Sequence, residues 1–261
     1  MKIVISPNAQ ILGKQAAATI AQLLNGAIHE RGYARLILST GQSQFETLEA
    51  LIAEDVDWRK VTMFHLDEYV GLPTSHPASF RKYLTERFVA KVPLRQWYPV
   101  ADDPAAIPEL QERLREQPVD VGVIGIGENA HIAFNDPPAD FATREAYRCV
   151  DLDERCKQQQ VGEGWFATNA DVPKQAISMT VYQIMQCRHI VSCVPHAVKA
   201  NALMQTLHSR KVDPQIPATM LKEHPDFYLF ADSASATLLV KEQIHLGDGM
   251  PLEYQILPMH E

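Results

Sequence analysis

His131 sits in the segment Gly125-Ile126-Gly127-Glu128-Asn129-Ala130-His131-Ile132-Ala133-Phe134-Asn135-Asp136-Pro137-Pro138, with an amide at Asn129 on one side and a carboxylate at Asp136 on the other. Imidazole ordinarily titrates close to neutrality, so polar partners on its flanks can tune how it moves a proton. The glycines at the start of the segment let the backbone turn sharply and come close to a ligand. A structural alternative for His131 is a hydrogen-bonded core histidine. A second acidic site is Leu66-Asp67-Glu68-Tyr69. A carboxylate there can take a proton from a carbon beside a carbonyl, or simply serve as a turn or capping group.

Two further segments could hold an anion. Ser39-Thr40-Gly41-Gln42-Ser43 lies between an apolar run and a helical pattern. Unpaired N–H groups at a helix start carry about half a positive charge, and hydroxyls add donors. The same residues also read as an ordinary β-to-α turn with a serine cap. The Gly-Lys-Ser/Thr ending of a P-loop is absent. In Val194-Pro195-His196-Ala197-Val198-Lys199 a lysine falls in the first turn of a helix, where the dipole disfavours a cation and an anionic ligand would relieve it. A solvated surface lysine is the plain alternative. The segment Ile216 to Leu221 reads as a loop and short helix with little chemistry of its own.

The elements that must position these groups follow from hydrophobic spacing. Strands are expected at Ile3 to Ser6, Leu36 to Leu38, Val61 to Leu66, Trp97 to Val100, Val121 to Ile124, Ala176 to Val181, His189 to Val194 and Phe227 to Phe230. Helices are expected at Gln10 to Arg31, stopped by Gly32, then at Gln44 to Ala53, Ser79 to Val89, Ile107 to Glu116 and His196 to Leu207. The polar stretch Ala139 to Ala170 reads as loops forming a mobile lid, and the tail from His245 as a loose wrap. Alternating strands and helices imply one α/β domain over residues 1–261: three layers, with a mainly parallel twisted sheet and helices on both faces. Right-handed crossovers would bring the strand ends, and so the motifs, to one edge, which is where such sheets bind ligands.

Gly125-x-Gly127-x-x-Ala130, with Asp151 some twenty residues on, also matches a dinucleotide fingerprint. That reading fails because Phe134-Asn135-Asp136-Pro137-Pro138 cannot continue as the helix the fingerprint must open.

Composition narrows the function classes. Of 261 residues 46% are hydrophobic and 21% charged, enough for a sizeable core. A net charge of -8 with no Lys/Arg cluster speaks against nucleic acid. No apolar run is long enough for a signal peptide or a membrane span. Cys149, Cys156, Cys187 and Cys193 form no C-x-x-C pair and read as reduced thiols of a cytoplasmic protein.

Leu66-Asp67-Glu68-Tyr69-Val70-Gly71-Leu72-Pro73, His76-Pro77-Ala78-Ser79-Phe80, His131-Ile132-Ala133-Phe134-Asn135-Asp136-Pro137 and Pro217-Ala218-Thr219-Met220-Leu221, in this order, resemble the glucosamine-6-phosphate deaminase/isomerase family over nearly the whole chain. The resemblance implies a modified Rossmann-like fold. It also implies conversion of glucosamine 6-phosphate and water to fructose 6-phosphate and ammonia, with neither metal nor organic cofactor. Asp67 would shuttle a proton between C2 and C1, and His131 would assist ring opening. Asp136 would polarise His131, and Asn129 would orient it. Thr40, Gly41, Gln42, Ser43 and Lys199 would hold the phosphate. The chain departs from the family pattern at Asn129 (usually Asp), Ala130 (usually Gly), Asp136 (usually Glu) and Gln42 (usually Gly). The lid arginine has no clear counterpart among Arg155, Lys157 and Gln158 to Gln160. The galactosamine epimer as substrate, a lactonase activity with His131 activating water, and an inactive phosphosugar sensor are the competing expectations. A phosphosugar partner and a homo-oligomer complete the set.

Overall fold

The computed structural model describes residues 1–247 and 251–258, the Arg155 side chain excepted. Eleven strands occur among them: β1 Lys2–Ser6, β2 Ala34–Leu38, β3 Val61–His65, β4 Asp67–Tyr69, β5 Gln96–Tyr98, β6 Val121–Val123, β7 Tyr147–Asp151, β8 Gln175–Met179, β9 His189–Val194, β10 Phe227–Asp232 and β11 Glu253–Ile256. Eight of them form one sheet in the order β11-β1-β10-β9-β6-β2-β3-β5, and every neighbouring pair is parallel. All five residues of β2 are buried, as a parallel strand covered on both faces requires.

The α-helices are α1 Ala9–Arg31, α2 Phe45–Leu51, α3 Phe80–Leu84, α4 Ile107–Arg115, α5 Glu154–Gly162, α6 Val181–Ile184 and α7 Ala200–His208. One side of the sheet is covered by α1, α2 and α3. There Leu12, Ile20, Leu24, Leu48 and Leu84 pack on Leu36, Leu38, Met63 and Val123. The other side is covered by α4, α6 and α7, where Leu110, Ile184 and Leu203 join Ile37, Phe64 and Leu229. The period of two along β2 thus feeds two separate cores.

Helix α1 begins where the Asn8 side chain accepts the Ile11 N–H at 2.9 Å and ends at Gly32, whose φ of 82° is the left-handed stop expected from the sequence. A side chain at Gly13 would lie 2.6 Å from the Glu46 backbone, so glycine is what lets α1 lie against α2. That contact fixes the helix that follows the Thr40 loop.

Three expectations from the sequence change. The stretch 139–170 holds β7, α5 and a 3-10 turn at Asn169–Asp171, not loops alone. The tail contributes β11, paired parallel to β1 along Lys2 to Ile5. Immediately after β3 the chain enters a second, three-stranded antiparallel sheet, β4-β8-β7. In it Asp67 stands opposite Ser178. No helix among the described residues is long and apolar enough to cross a membrane.

Candidate active site

The carboxyl ends of β9, β6 and β2, adjacent in the sheet, and the start of β4 open into one cleft. Thr40, Gly41, Gln42, Ser43, Asp67, His131 and Lys199 all line it. Asn129 and Asp136 stand behind His131 and contact it directly. All nine residues singled out in the sequence therefore belong to one neighbourhood.

The loop after β2 turns its backbone donors toward the cleft. Gly41 has φ 109° and ψ 163°, a conformation open to glycine, and its carbonyl accepts from the Tyr83 hydroxyl at 2.8 Å. The N–H groups of Gly41, Gln42 and Ser43 find no acceptor among the described residues, and they open a 3-10 turn that runs into α2. Across the cleft the turn after β9 is held by Asp232, whose two carboxylate oxygens accept the His196 N–H at 3.1 and 3.2 Å. His196 lies in the left-handed region at φ 77°. The 3-10 turn Ala197–Lys199 leads from it into α7. Lys199 is 7% exposed and makes no ion pair among the described residues. Burial lowers its pKa, and Glu163 and then Glu128 act in the opposite direction.

The two adjacent acids have different work. Glu68 is fully buried and saturated: it accepts the N–H groups of Tyr69, Phe80 and Arg81 at 2.9, 3.2 and 2.8 Å, the Ser79 hydroxyl at 2.8 Å and Arg81 Nε at 3.2 Å. It is a structural carboxylate that seats α3. Asp67 is 5% exposed, and its Oδ1 has no partner. Burial, and then the neighbouring Glu68 charge, push its pKa well above the usual carboxylate range. An underpartnered carboxylate with a raised pKa at the wall of a cleft suits proton abstraction.

The His131 turn is held from three sides. Gly127 N–H donates to the His131 carbonyl at 2.9 Å, and Ala218 N–H donates to the Ala130 carbonyl at 2.9 Å. The Pro217 segment, chemically quiet in the sequence, thus braces this turn. The third hold comes from β8. Ser178 donates its position opposite Asp67 and its hydroxyl accepts Phe134 N–H at 3.0 Å, while the Asn135 amide donates to the carbonyls of Ile132 and Met179 at 2.8 Å each. One strand therefore registers the carboxylate and the imidazole against each other. A Cβ at Gly127 would lie 2.2 Å from the imidazole, so this glycine makes room for the ring. Ala130 adopts φ 64°, a left-handed residue where the family usually has glycine.

Behind the ring, His131 Nδ1 is 2.5 Å from Asn129 Oδ1 and 3.3 Å from Asp136 Oδ1, and Asn129 Nδ2 donates to Asp136 Oδ1 at 3.2 Å. Burial raises the Asp136 pKa, but its contact with His131 and the Asn129 amide more than offset that and hold it below the ordinary value. No group of three or more His, Cys, Asp or Glu side chains is placed to hold a metal ion among the described residues.

Residues 7–229 match the family of glucosamine-6-phosphate isomerases and 6-phosphogluconolactonases. The chain belongs to that family. The glucosamine-6-phosphate deaminase of Lactobacillus delbrueckii subsp. bulgaricus is 34% identical over 245 residues, covering 92% of this chain and 100% of the relative. That of Streptococcus pneumoniae is 33% identical over 247 residues, with the same 92% and 100% coverage. Among solved structures, a monomeric glucosamine-6-phosphate deaminase superposes with a TM-score of 0.82 at 27% identity, covering 92% of this chain and 100% of that one. A putative 6-phosphogluconolactonase from Neisseria gonorrhoeae superposes with a TM-score of 0.70 at 21% identity over 89% of this chain and 100% of that one, a likeness of fold.

Within this frame common to the family, several cleft residues were not among the site residues expected from the sequence. Gln159, Gln160, Glu163 and Trp165 reach the cleft from α5 and the turn after it, and His196 reaches it from the β9 turn. Tyr69, fully buried, donates to Gln160 at 2.7 Å and ties α5 to the strand that carries Asp67. The Gly162-Glu163-Gly164 turn beside a tryptophan was the available clue. The Arg155 side chain, near where the resemblance would put a lid arginine, lies outside the described residues.

Proposed function

We propose that this protein is an isomerising deaminase of an amino-sugar 6-phosphate, converting glucosamine 6-phosphate and water to fructose 6-phosphate and ammonia. The observation that carries the reading is that Asp67, His131, Lys199 and the free N–H groups of the Thr40 loop all face one cleft. In this reading the phosphate takes the N–H groups of Gly41, Gln42 and Ser43, the Thr40 and Ser43 hydroxyls, and the Lys199 ammonium. Anchoring the far end of the sugar places its C1–C2 end at the catalytic pair.

His131 begins the chemistry. An amide oxygen only accepts, so Asn129 Oδ1 fixes the proton on Nδ1 and leaves Nε2 with its lone pair toward the cleft. Nε2 moves a proton to or from the ring oxygen as the pyranose opens. The ionised Asp67 then takes the C2 proton while that bond's electrons become the C1–C2 double bond and the C1 carbonyl π electrons move to O1, which picks up a proton to give an amino enol; that proton is balanced by the one the C2 nitrogen releases as it becomes the imine. Asp67 returns the proton to C1, and the nitrogen on C2 becomes an imine. Water adds to the imine carbon, and the C–N bond breaks to leave the ketone and ammonia. The stretch 139–170, through α5, is the cover over this cleft.

Charge favours this reading over lactone hydrolysis. Asp67, Glu128 and Glu163 line the cleft beside Lys199. Of these, Asp67 stands at the C1–C2 end in this reading, and its carboxylate suits a ligand bearing an ammonium group there and opposes one whose product gains a carboxylate. The test is release of ammonia and ketose phosphate from glucosamine 6-phosphate and galactosamine 6-phosphate, with 6-phosphogluconolactone in parallel. Deamination of the first supports the reading, and preference for the galactosamine epimer would revise only the sugar. Lactone hydrolysis without ammonia, or tight binding with no turnover, would replace it.

A further inference from the structure

The anion end of the cleft contains a fixed negative charge that an anion-binding site does not need. Glu163 lines the same cleft as the Thr40 loop and Lys199. Its carboxylate is clamped, with Oε1 accepting from Gln159 Nε2 at 2.8 Å and Oε2 from Trp165 Nε1 at 3.0 Å. Its backbone carbonyl accepts from Gln42 Nε2 at 3.3 Å, which joins the lid segment to the loop expected to hold phosphate. Among the described residues the carboxylate forms no ion pair with Lys199, yet it is the leading opposite charge acting on that ammonium. The cleft thus presents, beside its lysine, a carboxylate that cannot swing away without losing two hydrogen bonds.

The geometry points to Glu163 as a specificity-determining residue that deliberately weakens the hold on a sugar's phosphate. This inference rests on the anion-binding half of the proposed function. A phosphate dianion seated among the Gly41 to Ser43 N–H groups and Lys199 meets the repulsion of a clamped carboxylate. The phosphate does not change during isomerisation or deamination, so binding it more tightly would stabilise substrate, transition state and product alike. A site that grips it less firmly lets the ketose phosphate leave and keeps the enzyme unsaturated at higher substrate levels. Glu163 thereby also selects for a single anionic group at that end of the ligand. A second negative charge there, as in a bisphosphate, would meet the same wall.

Inorganic phosphate is the direct probe, because its binding involves no turnover. It is titrated calorimetrically at about pH 8, where it is a dianion, into the wild-type protein and Glu163→Gln, which keeps the shape and one acceptor for Trp165. The variant is expected to bind phosphate about three- to tenfold more tightly at low salt, with the gap closing as salt shortens the reach of the charge to a few ångströms. Lys199→Ala should move affinity the opposite way, and Glu163→Asp, which retains the charge, should show none of the gain. KM for the sugar phosphate and the inhibition constant of the ketose product should fall in Glu163→Gln by the same factor as the phosphate Kd. Equal or weaker phosphate binding by Glu163→Gln, an effect indifferent to salt, or the same gain in Glu163→Asp would overturn the inference. If wild type releases no ammonia while Glu163→Gln still tightens phosphate, the inference stands and the assigned reaction falls.

Discussion

His131 Nδ1 lies 2.5 Å from the Asn129 side-chain oxygen, and the same asparagine's amide nitrogen lies 3.2 Å from Asp136. Only one orientation of the amide satisfies both neighbours, since the reverse would set two oxygens against each other. The asparagine thus works as an adaptor: it passes an uncharged acceptor to the imidazole and a donor to the carboxylate. The resemblance leads one to expect an aspartate here; the amide keeps an acceptor toward the ring and omits the charge.

Because Asp136 Oδ1 is itself 3.3 Å from Nδ1, the two acceptors overlap in function. Asn129→Ala and Asp136→Asn are each expected to lower kcat about tenfold, with KM little changed. The double variant should lose about a thousandfold, more than the product of the two, because it leaves no strong acceptor fixing the tautomer. Steady-state kinetics on the three variants checks this, and simple additivity would mean that the two do not share one task.

Asp67 carries a stability cost that its chemistry explains. Its folded-state pKa is raised by burial and by Glu68. Between the unfolded and the folded value the native state holds more protons, so stability falls as pH rises through that window and the ionised form is the strained one. Asp67→Asn should therefore raise Tm by a few degrees at neutral pH. The gain should shrink as the pH falls toward the ordinary carboxylate range, where wild-type Asp67 is neutral as well. In wild type, kcat should decline on the acid side above the usual carboxylate range, because the base must be ionised. Thermal melts and a pH–rate profile measure the two effects.

Glu68 should behave in the opposite manner. Its oxygens accept five donors, and an amide in its place would turn one end into a donor facing donors. Glu68→Gln is expected to cost about 2–4 kcal/mol of stability. The protein that remains folded should keep kcat within about threefold of wild type, a change under 1 kcal/mol. Chemical denaturation together with activity per folded molecule separates this outcome from a direct catalytic role.

Gly127 makes room for the imidazole. A Cβ there would lie 2.2 Å from the ring, so Gly127→Ala must displace His131. A displacement of about an ångström should lower kcat roughly a hundredfold while inorganic phosphate binding at the Thr40 loop is retained. Parallel loss of phosphate binding would indicate that the whole cleft, and not the ring alone, had moved.

Much of this architecture was legible before folding. The stripe in α1, its Gly32 stop and the apolar runs of β2, β3, β6 and β9 announce themselves by period and composition. Those strands bring the Thr40, His131 and Lys199 motifs to one sheet edge. What stayed hidden depends on partners distant in sequence. β4 contains Asp67 and Glu68, polar residues that form a strand because β8, over a hundred residues later, pairs with them. β11 is a four-residue edge, Glu253-Tyr254-Gln255-Ile256, with three residues exposed; its alternation is too short to distinguish it from a loop, and its pairing to β1 runs through backbone groups. α5 reads Glu-Arg-Cys-Lys-Gln-Gln-Gln-Val-Gly and lacks an apolar stripe; its seat depends on the buried Cys156 and on the hydrogen bond from Tyr69 to Gln160. The division of labour between Asp67 and Glu68 was equally invisible, because the donors that saturate Glu68 include Ser79 and Arg81.

The most direct test of the account follows the C2 proton. Glucosamine 6-phosphate is turned over in deuterium oxide, and deuterium at C1 of fructose 6-phosphate is measured for wild type and Asp67→Asn, with phosphate binding as the control for an intact cleft. The account predicts that part of the wild-type product keeps the substrate's C2 hydrogen at C1, the rest carrying deuterium that exchanged onto Asp67 during its lifetime, and no product and no exchange at C2 in Asp67→Asn, which still binds phosphate. Turnover by Asp67→Asn at the wild-type rate, or C2–H exchange that persists without this carboxylate, would contradict it.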